Sequence, residues 1–470
     1  MSSIKKNFMY NSIYQIMIMF IPLITTPYIS RVLGASGVGA YSYAYSIANY
    51  YVLFIMLGLN NYGNRSIAKV RDNKIELEKT FWSIYSMQFV LGVIFNIIYL
   101  LYCFTFSSNF NVSLAVSFYV ISACFDVNWF FFGLEKFKLT VIRNTIIKIL
   151  TTICIFIFVK ESTDILIYCL IMTIGLLISQ LALWPYILRN INFYKPTIKE
   201  ITVHIKPNLF LFLTVIAVSL FKIMDKVMLG IMTTTTEVGY YESAEKIIAI
   251  PTALITSLGT VMLPRMTNMI SNNSTQDKKL IYWSMLFAMF ISSSMCFGIM
   301  GVSKEFVPLF YGDGFEKCID LFIILLPTCI FMAYANVIRT QYLLPHQMDK
   351  DYVISAFLGA GVNLTMNWIL IPIHGCIGAA IGTFFAEAIV CLYQAYAVRK
   401  YLPIKKYFYK SLYFILAGII MFLVIFNIDI GNISIFIKLF IKILIGVVLY
   451  FVVLGIQILF RKYILKKSIF

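Results

Sequence analysis

The stretch YNSIYQIMIMFIPLITTPYIS, Tyr10 to Ser30, runs for 21 residues without a charged side chain. A helix rises about 1.5 Å per residue, so roughly 20 apolar residues carry it across the hydrocarbon core of a bilayer. The stretch reads as a membrane-spanning helix, and similar runs recur, as at Ile281–Val302 and Ile443–Phe460. Hydrophobic residues make up 60% of the 470-residue sequence and charged residues 13%, with a mean hydropathy of +0.86. Soluble domains carry about 25% charged residues. The composition sets the class as an all-α integral membrane protein, and the short alternating strands of a membrane β-barrel are absent.

Apolar runs and polar breaks define about fourteen transmembrane helices, at 9–30, 40–61, 81–106, 113–132, 145–159, 165–188, 207–230, 239–262, 280–303, 319–343, 353–371, 377–398, 411–428 and 436–460. Basic residues collect in short cytoplasmic loops. With the N-terminus inside, the inner segments hold 27 Lys and Arg, and the outer ones only four, Arg31, Lys160, Lys304 and Lys317. Both termini are therefore expected in the cytoplasm of a multi-pass protein. The net charge of +17 follows from this loop bias. It points to anionic inner-leaflet lipid, and no nucleic acid is expected as a partner. The first apolar run is of spanning length with no small-residue cleavage site after it, so it reads as a retained helix and not a signal peptide.

Function classes fall away for lack of parts. The nine cysteines are scattered and do not cluster with His204, His346 and His374, so neither a metal site nor a cofactor is expected. No connection exceeds about 20 residues, which leaves no room for a soluble catalytic domain, and no phosphate-binding loop is present. The longest outer segment, KEFVPLFYGDGFEKC, has no evident catalytic pair. The chain does not read as an enzyme.

An internal repeat appears at an offset of 200, with VGAYSYAYSI at Val38–Ile47 against VGYYESAEKI at Val238–Ile247. Spans 1 and 2 then correspond to spans 7 and 8. This implies two pseudo-symmetric six-helix bundles around a central cavity, residues 1–206 and 207–400, followed by two additional helices and a tail in 401–470. Two halves about a cleft suit alternating access. Pro22, Pro27, Pro251 and Pro327 fall inside helical runs, where each removes a backbone hydrogen bond and bends the helix.

A series of segments carries a family resemblance: SRVLGASGVGAYSYAYSI, MLGLNNYGNRSIAKVR, WFFFGLEKFK, DKVMLG followed by EVGYYESAEKI, FYGDGFEKCIDLFIILLP and NLTMNWILIPIHGCIGAAIGTFFAE. In order and spacing the chain resembles the Wzx-type flippases of the multidrug/oligosaccharidyl-lipid/polysaccharide exporter superfamily. The resemblance implies a protein of the bacterial cytoplasmic membrane that moves undecaprenyl-pyrophosphate-linked oligosaccharide repeat units to the outer leaflet. Capsule, O-antigen or exopolysaccharide would be assembled there with a polysaccharide polymerase and chain-length machinery as partners. A proton or sodium gradient is the implied driving force. The competing readings are an ion-coupled drug or metabolite antiporter of the same superfamily and, third, a membrane-embedded polymerase or ligase.

Charge inside spans marks the candidate site. Lys222, Asp225 and Lys226 in span 7, and Glu242, Glu245 and Lys246 in span 8, share the spacing i, i+3, i+4, so each triplet lies on one helix face. Both lie within roughly 5 to 12 Å of the outer ends of their helices. Each such charge facing lipid would cost about 2.5 to 3.5 kcal/mol, so the triplets are expected to face a wet cavity or one another. Asp225, Glu242, Glu245 and Lys246 are read as an ion-pair network, either a gate or a pin between helices. Arg31, Lys222, Lys226, Arg143, Arg339 and Tyr41 are the candidates for the substrate path. Arg31 stands out because the repeat aligns it with Lys226, and its forked donors suit pyrophosphate. Asp126 and Glu387 are read either as ion-coupling groups or as buried ties between helices.

Overall fold

A computed structural model describes the backbone of residues 2–271, 277–431 and 433–463; within these it describes the side chains of all but residues 2–20, 213, 214, 217, 218, 220–222, 271, 277 and 461–463. The protein is built of α-helices. Twelve helical segments among the described residues are long and apolar enough to cross a membrane. The first of them, Ile21–Val70, contains the second expected span and the last ten residues of the first.

The chain divides into two compact units, Met1–Val227 and Met228–Phe470. Unit 1 contains α1 (Ser2–Met56), α2 (Leu59–Val70), α3 (Lys74–Thr105), α4 (Phe110–Cys124), α5 (Asn128–Gly133), α6 (Phe137–Phe158), α7 (Ile165–Leu181), α8 (Trp184–Asn190) and α9 (Ile198–Thr202). The division between units falls inside α10 (Ile205–Met232). Unit 2 continues with α11 (Thr235–Ser271), α12 (Asp277–Gly301), α13 (Ser303–Tyr311), α14 (Lys317–Leu325), α15 (Thr328–Ile338), α16 (Asp349–His374), α17 (Cys376–Val398), α18 (Ile404–Asn427) and α19 (Ile435–Tyr463). A π-helical turn, Arg339–Leu343, extends α15.

Local chemistry explains the boundaries. Asn73 caps α3 by accepting hydrogen bonds from the amides of Ile75 and Glu76 at 3.2 and 3.3 Å, and Asn109 caps α4 through the amide of Val112 at 3.3 Å. Pro327, read from the sequence as a kink, sits at the junction of α14 and α15, where Leu326 and Pro327 keep helical dihedrals and one span runs through both helices. Two single-residue breaks depend on glycine. Gly34 interrupts α1 at φ 65°, ψ 179°, and Gly375 joins α16 to α17 at φ 57°, ψ −132°. Side chains rarely tolerate either conformation.

Unit 1 is packed in layers along its helices. Phe81, Trp129, Phe130, Phe131 and Ile187 form a cluster on the side of the basic loops. Ala44, Ala48, Tyr99, Val116 and Cys169 form the middle layer, and Ile29, Leu33, Val38, Ile155 and Tyr168 the layer at the opposite end. The segment from Asn190 to His204 is fastened to α3. The indole of Trp82 donates to the carbonyl of Asn192 at 2.8 Å, the amide of Asn192 donates to Glu78 at 3.1 Å, and Lys79 pairs with Glu200 at 2.8 Å. Lys79 and the amide of Thr197 pull the Glu200 carboxyl down to about 2.

Candidate functional site

Asp126 and Arg143 meet in unit 1 because α4 breaks at Phe125. Gln88 of α3, fully buried, satisfies the broken end by donating to the carbonyls of Ala123 at 2.7 Å and Asp126 at 2.8 Å. Its own carbonyl accepts from the indole of Trp129 at 3.0 Å. The break places Asp126 before the start of α5, where its Oδ1 accepts from the amide of Asn128 at 2.9 Å and from the Asn128 side chain at 2.8 Å. Asn128 Oδ1 in turn accepts from Nη2 of Arg143 at 2.9 Å. Asn144 Oδ1 accepts from Nη2 and Nε of the same guanidinium at 2.6 and 3.1 Å, and Gln180 Oε1 accepts from Nη1 at 3.4 Å. Ser179 completes the group by donating to Asn144 at 3.2 Å.

Opposite charges from α6 and the α4–α5 corner are thus joined through an amide relay, with Asn128 donating to the acid and accepting from the base. Arg143 is 8% exposed. The sequence reading named the two charges but not Asn128, Asn144, Ser179, Gln180 or Gln88. Their only sequence signal was the presence of carboxamides and a hydroxyl inside apolar runs.

The other candidates of unit 1 stand in different settings. Arg31 is exposed near the end of the first span, and its Nη1 donates to the carbonyl of Pro27 at 3.2 Å. Tyr41 lies in a tyrosine cluster, its ring 5.6 Å from Tyr45 and 5.0 Å from Tyr168; Tyr45 stacks on Tyr119 at 4.5 Å. Asp225 of α10 is 3% exposed, and both it and Lys226 engage polar or charged partners. The side chain of Lys222 lies outside the described residues.

In unit 2, charges meet directly. Lys246 pairs with Glu242 one turn away on α11 at 3.5 Å, and Glu245 beside them also engages a partner. Arg339, the first residue of the π-helical turn, stands 5.6 Å from the ring of Tyr352. Glu387 is 8% exposed within α17. Two further pairs escaped the sequence reading. Glu237 Oε1 binds Lys317 at 2.6 Å, while its Oε2 accepts from the amide of Cys376 at 2.8 Å. One carboxylate therefore ties together the first turns of α11, α14 and α17. Glu305 of α13 binds Lys442 of α19 at 2.7 Å, with the Lys442 side chain only 3% exposed.

Residues 4–270, more than half of the chain, match a protein family described as polysaccharide biosynthesis protein. The chain belongs to this family. It is 23% identical over 394 residues to a putative O-antigen transporter of Escherichia coli K12, covering 83% of this chain and 95% of that protein. Its fold is that of the lipid II flippase MurJ in an inward closed conformation, with a TM-score of 0.78, 19% identity and coverage of 97% of this chain and 100% of that one. A multidrug-resistance MATE transporter of the MOP superfamily, facing inward, follows at a TM-score of 0.57 and 12% identity, covering 83% of this chain and 99% of that one. The all-α membrane fold and the family resemblance expected from the motifs are both borne out.

Proposed function

We propose that this family member is a flippase for lipid-linked oligosaccharide, moving undecaprenyl-pyrophosphate-bound repeat units from the inner to the outer leaflet of the bacterial cytoplasmic membrane. The observation that carries the reading is the family match together with near full-length similarity to a putative O-antigen transporter. The physical parts agree with it. Spanning helices carry cations at several depths, and no connection is long enough for a soluble catalytic domain.

In this reading transport proceeds by alternating access, with a proton or sodium gradient as the driving force. Arg31, Lys222, Lys226, Arg143 and Arg339 offer cations to the pyrophosphate along the path, and Tyr41 stands beside the sugars. Asp225, Glu242, Glu245 and Lys246 form the gate. Asp126 and Glu387 are the acids available for coupling. Asp126 is already committed to two hydrogen bonds from Asn128, which favours its role as a tie between helices. Product delivered outside would pass to a polymerase and chain-length machinery.

Deletion of the gene should leave lipid-linked repeat units on the cytoplasmic face and remove the surface polysaccharide. A normal polysaccharide in a strain with no second flippase overturns the reading. Arg31→Ala and Lys226→Ala should each abolish complementation while the protein still reaches the membrane, and full complementation by both removes them from the path.

A further inference from the structure

Unit 2 contains a cavity of about 330 Å³ enclosed by α12, α18 and α19. Leu286 and Phe290 of α12, Phe414 of α18 and Phe451 of α19 supply apolar walls. Three side chains with polar ends, Lys410, Tyr413 and Gln457, also line it, and Lys410 and Tyr413 each engage a partner. Lys410 is 8% exposed, and Oε1 of Gln457 is buried without a hydrogen-bond partner. Phe451 and Ile458 present much of their surface outward beside the opening, where lipid would lie.

The glycines of α19 show why the space exists. A Cβ at Gly446 would lie 2.6 Å from Cδ1, the movable end of the Ile425 side chain, so α19 comes close to α18 there. A Cβ at Gly455 would meet nothing within 4 Å. Glycine weakens a helix interior relative to alanine, and no helix contact requires it at 455. Its effect there is to keep one wall of the cavity open.

Depth and charge identify the occupant. Lys410 lies six residues after the start of α18, and Gln457 six before the end of α19, about 9 Å in from the helix ends at 1.5 Å per residue. Those ends adjoin Arg399, Lys400, Lys405 and Lys406, the side that the charge bias assigns to the cytoplasm. The ammonium of Lys406 stands 5.0 Å over the ring of Tyr282, near the start of α12 at the same end. An apolar cavity between helices with lysines at its cytoplasmic end fits the acyl chain and phosphate of an anionic lipid. We propose that this cavity seats one acyl chain of an anionic phospholipid of the cytoplasmic leaflet, with its phosphate held by Lys410 and Lys406.

Native mass spectrometry of the purified full chain tests the site, with dioleoylphosphatidylglycerol, dioleoylphosphatidylcholine and undecaprenyl phosphate added separately at matched concentrations. The phosphatidylglycerol should bind at least tenfold more tightly than the phosphatidylcholine. Gly455→Phe, which fills the cavity and improves the helix, and Lys410→Gln should each weaken that binding at least tenfold. Gly455→Leu, smaller and equally favourable to the helix, should give an intermediate loss, which separates cavity filling from misfolding. Equal binding of the two phospholipids, or unchanged binding in both Gly455 variants, overturns the proposal. So does preferential capture of undecaprenyl phosphate, which would assign the cavity to the tail of a carrier lipid.

Discussion

The buried charge of unit 1 and the paired charges of unit 2 are held in different ways. In unit 1 the guanidinium of Arg143 and the carboxylate of Asp126 are joined through Asn128. In unit 2 ammonium and carboxylate touch, in Glu305–Lys442, Glu237–Lys317 and Glu242–Lys246. A direct pair leaves a bare buried charge when one partner is lost, whereas an amide relay still offers dipoles to the charge that remains. Unit 2 should therefore be brittle at its most buried pair, Glu305–Lys442, and unit 1 forgiving in stability but sensitive in geometry.

The largest effect is expected at Lys442→Met, which strands Glu305. Removing one partner of such a pair costs about 3 to 5 kcal/mol, read as a fall in the thermal midpoint of the purified protein. Adding Glu305→Gln should recover most of the loss. A single variant as stable as the parent would break the contrast between the units. Gly375→Ala comes next. It forces a side chain into a positive-φ turn and places a Cβ 2.4 Å from Glu237 Oε2, and backbone strain of this kind costs about 1 to 3 kcal/mol. Glu237→Ala in the same chain should relieve the contact part of the defect but not the backbone part.

Arg143→Lys should leave the stability within about 1 kcal/mol of the parent, because the amide cage still solvates a cation, yet lower complementation by at least tenfold as the forked geometry is lost. Asp126→Asn should retain at least half of the complementation, since an amide oxygen accepts the same bonds from Asn128. Complete loss would instead make Asp126 a coupling group. The smallest stability effect belongs to Lys246→Ala. A half-exposed i, i+4 pair is worth about 0.3 to 0.5 kcal/mol, so a large transport defect at unchanged stability would mark a gate.

A pH series sharpens the contrast outside the membrane. The carboxyl of Glu200 is lowered from 4.5 to about 2, so its contribution is fully present above pH 4.5 and is lost as pH falls toward 2. Hydrogen exchange of the amides from Thr197 to Val203 should differ between the parent and Glu200→Gln above pH 4.5 and converge near pH 2. A difference that persists unchanged to pH 2 would show that the ionised Glu200 does not fasten the Asn190–His204 segment to α3.

The membrane class and most of the spans were legible because burial in lipid imposes one demand, apolar length, on every residue of a span. The charged candidates were legible for the converse reason, that charge is costly there. Their partners were not. Asn128 and Gln180 act from residues far apart in sequence, and a carboxamide in an apolar run looks the same whether it ties helices or cages an arginine. Lys442 was passed over because span 14 has no acid at i−4 or i+4 to announce a pair; its partner is 137 residues away. Glu237 stands in the sequence only as the first residue of the motif EVGYYESAEKI, and its offset-200 counterpart, Gly37, gives no hint of a tie. The break at Phe125 followed from no local signal and depends on Gln88 reaching across from α3.

The single residue between α16 and α17 has a kinetic meaning. These helices lie along each other in unit 2, and Gly375, whose φ and ψ admit almost no other side chain, is the whole of their connection. A joint with no slack cannot lengthen. Neither helix can slide past the other by one turn, about 5.4 Å, without uncoiling its own end. Whatever moves in this protein, the pair moves as one rod, and a label placed on either helix should report the displacement of both.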